Sequence, residues 1–142
     1  TAELLKKGLL YIPQKNNLFE DLTVKENIEM AGLTLDHRTL QKQIENVLSI
    51  FTTLVPHLYR TPMKLSGGER QLLTLAMATL HKPKMILLDE PLSGLSHQNI
   101  TFVIENLKML NDKSGITLLG RVFNTALVNT SFDVTELNSV FV

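Results

Sequence analysis

The chain contains no cysteine in 142 residues. Disulfides and thiolate metal sites are therefore excluded, and a reducing compartment is compatible with the sequence. Neither sign of charge is in excess, with 14 basic residues against 14 acidic ones. No basic block longer than a few residues occurs, so the footprint of a nucleic-acid-binding surface is lacking. Long apolar runs are also missing. The stretch at residues 85–88 is far short of the roughly 20 residues that cross a bilayer. No charged leader followed by an apolar core opens the chain, so no secretory signal is visible. Glycine is sparse, and none of the 7 glycines precedes a lysine. A Gly-x-x-x-x-Gly-Lys-Ser/Thr loop, whose backbone amides would cradle phosphates, is thus absent from these residues.

What is present suits one domain with enough chain to bury a core. Residues 8–13 read as a short buried strand ended by Pro13. Thr23 and Glu26 have capping-box spacing and open a helix over residues 24–31, which Gly32 ends. Asp36 can cap a second helix, whose Leu40, Ile44, Val47, Leu48 and Phe51 share one face. Pro56 and Pro62 bracket a loop. Ser66 and Glu69 form a second capping box for a helix reaching about Leu80, and Pro83 marks the turn beyond it. The apolar run at 85–88 predicts a strand covered on both faces. Ser96 can cap a helix that places Ile100, Val103, Ile104, Leu107 and Leu110 on one side. Residues 116–119 read as another strand, and 133–142 as a last, weakly alternating one. Strands alternating with helices predict an α/β fold with a largely parallel sheet. The helices between Thr23 and Phe51 come as a block and predict a separate lobe.

Two segments carry chemistry. In Lys64-Leu65-Ser66-Gly67-Gly68-Glu69-Arg70-Gln71, two glycines follow a serine at a helix start. Their amides and the helix dipole suit an anion such as a terminal phosphate. The same string also reads as a plain capping box with a glycine-loosened first turn. In Met85-Ile86-Leu87-Leu88-Asp89-Glu90-Pro91, an apolar strand delivers two adjacent carboxylates to its C-terminal end. Ligands of open α/β sheets bind at that end. Neighbouring strand residues point to opposite sides, so the two acids can take different tasks. The bland alternative is a strand end flanked by solvated acids.

Together these strings resemble the signature motif and Walker B strand of ABC-type ATPases, from about residue 8 to residue 119. The resemblance implies a P-loop NTPase-like α/β fold with a mostly parallel sheet. It is incomplete because the P-loop strand is missing. It divides residues 1–142 into a helical lobe at about 20–64 and an α/β core at 1–19 and 65–142. It implies that Asp89 belongs to a Mg²⁺ shell and that Glu90 polarises the attacking water. Gln14 matches the family's Q-loop glutamine, which reaches Mg²⁺ or the water. Ser66, Gly67 and Gly68 would meet the γ-phosphate of ATP held by a second ATP-binding subunit. Leu18 and Phe19 fall in a stretch that lies near the transmembrane permease subunit in the family, and they read equally well as core residues.

The short helical lobe and the lack of cysteine resemble transporter subunits, those of amino-acid importers, particularly the branched-chain type, and of lipopolysaccharide-export ATPases. The implied location is cytoplasmic, peripheral on the inner face of the membrane, with no nucleic-acid partner. Two departures stand out. Ser96 occupies the place where the family's D-loop usually ends in aspartate, and it can serve simply as a helix cap. Phe123 falls where the switch histidine belongs. A chain that begins at Thr1 and lacks the phosphate loop reads as a fragment of such a subunit, inactive as an isolated ATPase and prone to pair its sheet with another copy. The alternative is a truncated or degenerate non-catalytic interaction module derived from an ABC ATPase.

Overall fold

The computed structural model describes residues 2–15 and 17–121. The strand expected over 133–142 and the position of Phe123 lie outside those residues. The described chain runs α1 (Ala2–Lys6), β1 (Leu9–Ile12), α2 (Val24–Ala31), α3 (His37–Ile50), α4 (Gly67–Thr79), β2 (Met85–Asp89), α5 (His97–Ser114) and β3 (Thr117–Arg121). The strands form one parallel sheet in the order β1-β2-β3. Helix α1 is an addition to the sequence reading. The loop bracketed by Pro56 and Pro62 is flanked by two short 3₁₀ helices, Thr52–His57 and Pro62–Lys64, which contain those prolines. The third strand also starts one residue later than expected, where its pairing with β2 begins at Met85 and Thr117.

Local signals set most boundaries. Thr23 and Ser66 each accept from the backbone N–H three residues on, and Glu26 and Glu69 each reach back to the cap's own N–H. Asp36 and Ser96 cap α3 and α5 by accepting from Thr39 and Asn99. Helix α5 ends at Gly115 in the left-handed region, where glycine avoids a Cβ clash.

The core lies between one face of the sheet and helices α4 and α5. Ile12, Ile86, Leu88 and Leu118 join Leu72, Leu73, Leu75, Ile104 and Leu107 in it. The predicted face of α5 is buried at all five positions. Strand β2 departs from expectation: Ile86 and Leu88 are buried, whereas Met85, Leu87 and Asp89 are half-exposed. The reason is register. Tyr11, Leu87 and Leu119 lie side by side on the second face, where Tyr11 is 48% and Leu119 41% exposed. Within the described residues that face is not closed by a helix layer.

The lobe is pinned to the core by its first helix. Asn27 is fully buried, accepts from the Phe19 N–H at 2.8 Å, and donates to the carbonyls of Phe19, Leu22 and Thr23. One side chain thus fixes the whole approach to α2. The N–H groups of Val24 and Lys25 donate to the carbonyls of Arg60 and Leu58, which ties that approach to the segment ahead of α4.

Candidate functional site

Strands β1 and β2 run parallel, so the residues leaving both C-terminal ends meet. The Gln14 amide, just beyond β1, donates to Glu90 Oε2 at 3.1 Å and to Ser93 Oγ at 3.1 Å. The Tyr11 hydroxyl donates to Asp89 Oδ2 at 3.2 Å. The two acids are therefore served by different partners, as their alternation on the strand leads one to expect. Asp89 is the last residue of β2, in line with Leu87 on the half-open face. Glu90 has left the strand and takes φ +49°. That conformation is unusual for a residue with a Cβ and costs on the order of 1 kcal/mol or more. The turn behind it holds it there: Pro91 and Leu92 are buried, and the Ser93 N–H donates to the Glu90 carbonyl.

The second part of the site is the start of α4. Ser66 is exposed, and its N–H donates to Glu69 Oε2 at 2.8 Å while its hydroxyl accepts from the Glu69 N–H at 3.2 Å. The N–H groups of Gly67 and Gly68 make no hydrogen bond among the described residues. Two unspent donors at a helix N-terminus are the arrangement an anion requires. The glycines have a packing reason as well. A Cβ on Gly67 would lie 2.9 Å from Leu95 Cδ2, and one on Gly68 would lie 2.9 Å from Phe102 Cδ1 and 3.0 Å from Asn99 Oδ1. Gly68 is buried against α5, whereas Gly67 faces a cleft of 460 Å³.

Gln14 and Lys15 line that cleft together with Gly67, Arg70 and Gln71. No hydrogen bond among the described residues links Ser66, Gly67 or Gly68 to Gln14 or Glu90. The Gln14–Glu90 pair and the helix start are held by separate sets of hydrogen bonds. In the wall of the cleft Arg70 donates through both terminal nitrogens to the Glu20 carboxylate, with Nη1 at 3.0 Å. These hydrogen bonds hold Glu20 below the usual carboxylate range and raise Arg70 further. Both groups are partly solvated, so the pair orients the helix start more than it stabilises the fold.

Glu69 has a further partner, His57, whose Nε2 lies 3.2 Å from Glu69 Oε1. Sequence reasoning singled out neither His57 nor Asn27 nor the Glu20–Arg70 pair. Asn27 left one signal, an asparagine inside a helix where it is a poor helix former. The other contacts join positions distant in sequence and left none.

Three hard oxygen-bearing side chains, Gln14, Asp89 and Glu90, thus lie at the C-terminal ends of the neighbouring strands β1 and β2. Among the described residues no three His, Cys, Asp or Glu side chains gather into a metal cage. Mg²⁺ does not need one, since it is commonly held by one or two carboxylates with waters and substrate phosphates. The donor chemistry fits that ion.

The sequence matches the family described as ABC transporter over residues 1–93. The chain belongs to the ABC transporter family. It is 36% identical over 114 residues to the probable branched-chain amino acid transport ATP-binding protein LivF of Archaeoglobus fulgidus, covering 80% of this chain and 48% of that protein. It is 33% identical over 118 residues to the high-affinity branched-chain amino acid transport ATP-binding protein BraG of Pseudomonas aeruginosa, covering 83% of this chain and 50% of the relative. The chain therefore spans about half the length of the curated relatives it matches.

Among solved structures, it resembles an ATP-binding cassette of an ABC transporter in its ADP conformation, with a TM-score of 0.75 and 23% identity over 98% of this chain and 57% of that one. It also resembles cbiO1 of Clostridium perfringens, part of the cbiONQ transporter complex, with a TM-score of 0.75 and 21% identity over 87% of this chain and 50% of that one. These likenesses establish the fold, an incomplete version of the P-loop NTPase architecture. Among the described residues no helix is long and apolar enough to cross a membrane.

Proposed function

We propose that this ABC transporter chain supplies the hydrolytic carboxylates and the signature segment of an ATP-binding subunit that couples ATP hydrolysis to transport. The observation that carries the reading is the 3.1 Å hydrogen bond from Gln14 to Glu90 beside Asp89, at the C-terminal ends of two parallel strands. Asp89 and the Gln14 amide oxygen would hold Mg²⁺, which when bound would neutralise phosphate charge. Glu90, oriented by Gln14, would accept a hydrogen bond from the attacking water and polarise it. Ser66 and the unspent amides of Gly67 and Gly68 would meet the γ-phosphate of ATP on a second ATP-binding subunit.

The partners in this reading are ATP, a second ATP-binding subunit and a transmembrane permease subunit, with no nucleic acid. The location is the cytoplasmic face of the membrane. Branched-chain amino acids are the cargo class that the two curated relatives suggest. No feature of the fold favours a non-catalytic interaction module over this reading.

These residues contain no phosphate loop, whose backbone and lysine would hold the β- and γ-phosphates. Alone, the chain is expected to bind Mg-ATP weakly and to show no turnover. Mixed with a full-length ATP-binding relative such as LivF, it is expected to associate more strongly when ATP is present, and Gly68→Asp should abolish that gain. Association that ignores ATP, or that survives Gly68→Asp in a folded variant, would overturn the assignment of the signature. A clear ATPase rate of the chain alone, abolished by Glu90→Gln, would overturn the dependence on a partner.

A further inference from the structure

A second cavity, of 340 Å³, opens at the opposite end of the strands from Asp89 and Glu90, between α3 and the segments that enter β2 and β3. Its apolar wall includes Val47, Ile50 and Ile116, and its polar groups include Gln43, Asn46 and Lys82. A volume of that size falls in the range of small-molecule pockets.

Gln43 is the telling residue. It is 8% exposed, yet its amide makes no hydrogen bond among the described residues. Such an amide in a protein interior normally has a partner, and an unmet one costs about 1–3 kcal/mol. Its polar atoms are not sealed off, because His57 Nδ1 is the one fully buried side-chain atom without a partner among the described residues. The Gln43 amide therefore retains access, and the cavity it lines provides it.

The other hydrogens at the cavity can be accounted for. The Thr79 hydroxyl donates to the Leu75 carbonyl at 2.7 Å, and the Ser114 hydroxyl donates to the Leu110 carbonyl. What remains unspent are the amides of Gln43 and of Asn46 at the rim, each with N–H donors and an acceptor oxygen, and the Lys82 ammonium. Lys82 has no acidic partner among the described residues, and no acidic side chain lines the cavity. Helices α3, α4 and α5 all end nearby, which would favour a cation. At each helix end one carbonyl, of Val47, Thr79 and Asn111, accepts from the N–H group of Phe51, Lys82 and Gly115. The Lys82 ammonium is the one formal charge among the described residues that line the cavity.

We infer that this cavity is a binding site for a short aliphatic monocarboxylate. The carboxylate would accept from Gln43 and Lys82, and the alkyl group would cover Val47, Ile50 and Ile116. The site joins the helical lobe to the sheet and is independent of the nucleotide reading.

The test uses the 142-residue chain and three probes of equal length: hexanoate, hexanol and hexylamine. Hexanoate is expected to raise the melting temperature and to shift the side-chain amide resonances of Gln43. Hexylamine should do neither, and hexanol should bind at least about tenfold more weakly, the loss expected for a charged hydrogen-bond pair. Gln43→Leu should remain folded, because the amide makes no hydrogen bond to the described residues, and should lose the response to hexanoate. Lys82→Met, at an exposed position, serves as the second variant and should weaken hexanoate at least about tenfold. No shift with hexanoate, equal binding of hexanol or hexylamine, or full hexanoate binding by a folded Lys82→Met chain would overturn the inference.

Discussion

The start of α4 and the end of β2 both offer polar groups to a ligand, but they are held in different ways. Ser66 is fixed by Glu69, three residues away, through two reciprocal hydrogen bonds. Glu90 is fixed by Gln14, 76 residues away in sequence, and Asp89 by Tyr11, 78 away. The first arrangement is a property of one helix turn and survives as long as that turn does. The second exists only when two strands have paired in the right register, because a slip of one residue would turn Tyr11 from Asp89 to the other face. A helix start needs only its own turn, whereas the acids need the whole sheet behind them.

The substitution expected to separate the two most strongly is Asn27→Leu. It removes a buried hub that fixes the chain between Gln14 and α2, leaving Phe19 and Leu22 backbone groups unmet. A loss of about 3 kcal/mol in denaturant unfolding is expected. Exchange protection of the Glu69 N–H should follow that global loss alone, while the Gln14 side-chain resonances change outright. If instead the Glu69 amide loses protection first, the cap is not self-sufficient. Ser66→Ala should cost about 1 kcal/mol, the usual worth of an N-cap, and leave the Gln14 resonances in place. Gln14→Ala, at an exposed position, should change stability by less than about 0.5 kcal/mol while altering the resonances of Glu90 and Ser93. A large stability loss there would mean that the glutamine holds the sheet rather than the acid.

The smallest effect is on pH dependence. Hydrogen bonds from Arg70, Thr23 and Thr39 hold Glu20, Glu26 and Asp36 below their ordinary values. A depressed carboxylate stabilises the fold above its unfolded pKa, about 4.3 for glutamate and 3.9 for aspartate. That contribution disappears as pH falls through the lower folded value. The urea midpoint should therefore be flat from neutrality down to about pH 5 and then decline as those groups protonate. Glu20→Gln should make the decline shallower, and an unchanged slope would mean that the Arg70 pair carries no linkage.

Four helices could be read from the sequence because their signals are local. The Thr23–Glu26 and Ser66–Glu69 boxes, the Asp36 and Ser96 caps and the five apolar positions of α5 all act within a few residues. The apolar run of β2 also marked a strand correctly, but not its surroundings. A run of apolar residues does not say which face a helix will cover, and in this chain Leu87 and Leu119 remain on the less covered side. The turn at Glu90 was likewise hidden, since nothing in Asp89-Glu90-Pro91 demands a left-handed glutamate.

The sequence by itself determined where helices start and stop, which residues are apolar enough to form a core, and that a glycine-opened helix and a paired-acid strand end share one chain. Each of these follows from hydrogen bonds or hydrophobic periodicity over a few residues. Only the tertiary structure decided that Gln14 meets Glu90, that Gly68 is packed under Asn99 and Phe102, that Arg70 grips Glu20, and that Gln43 opens onto a cavity with its amide unmet. Those contacts depend on strand register and helix docking, which the whole chain fixes at once and no local segment encodes.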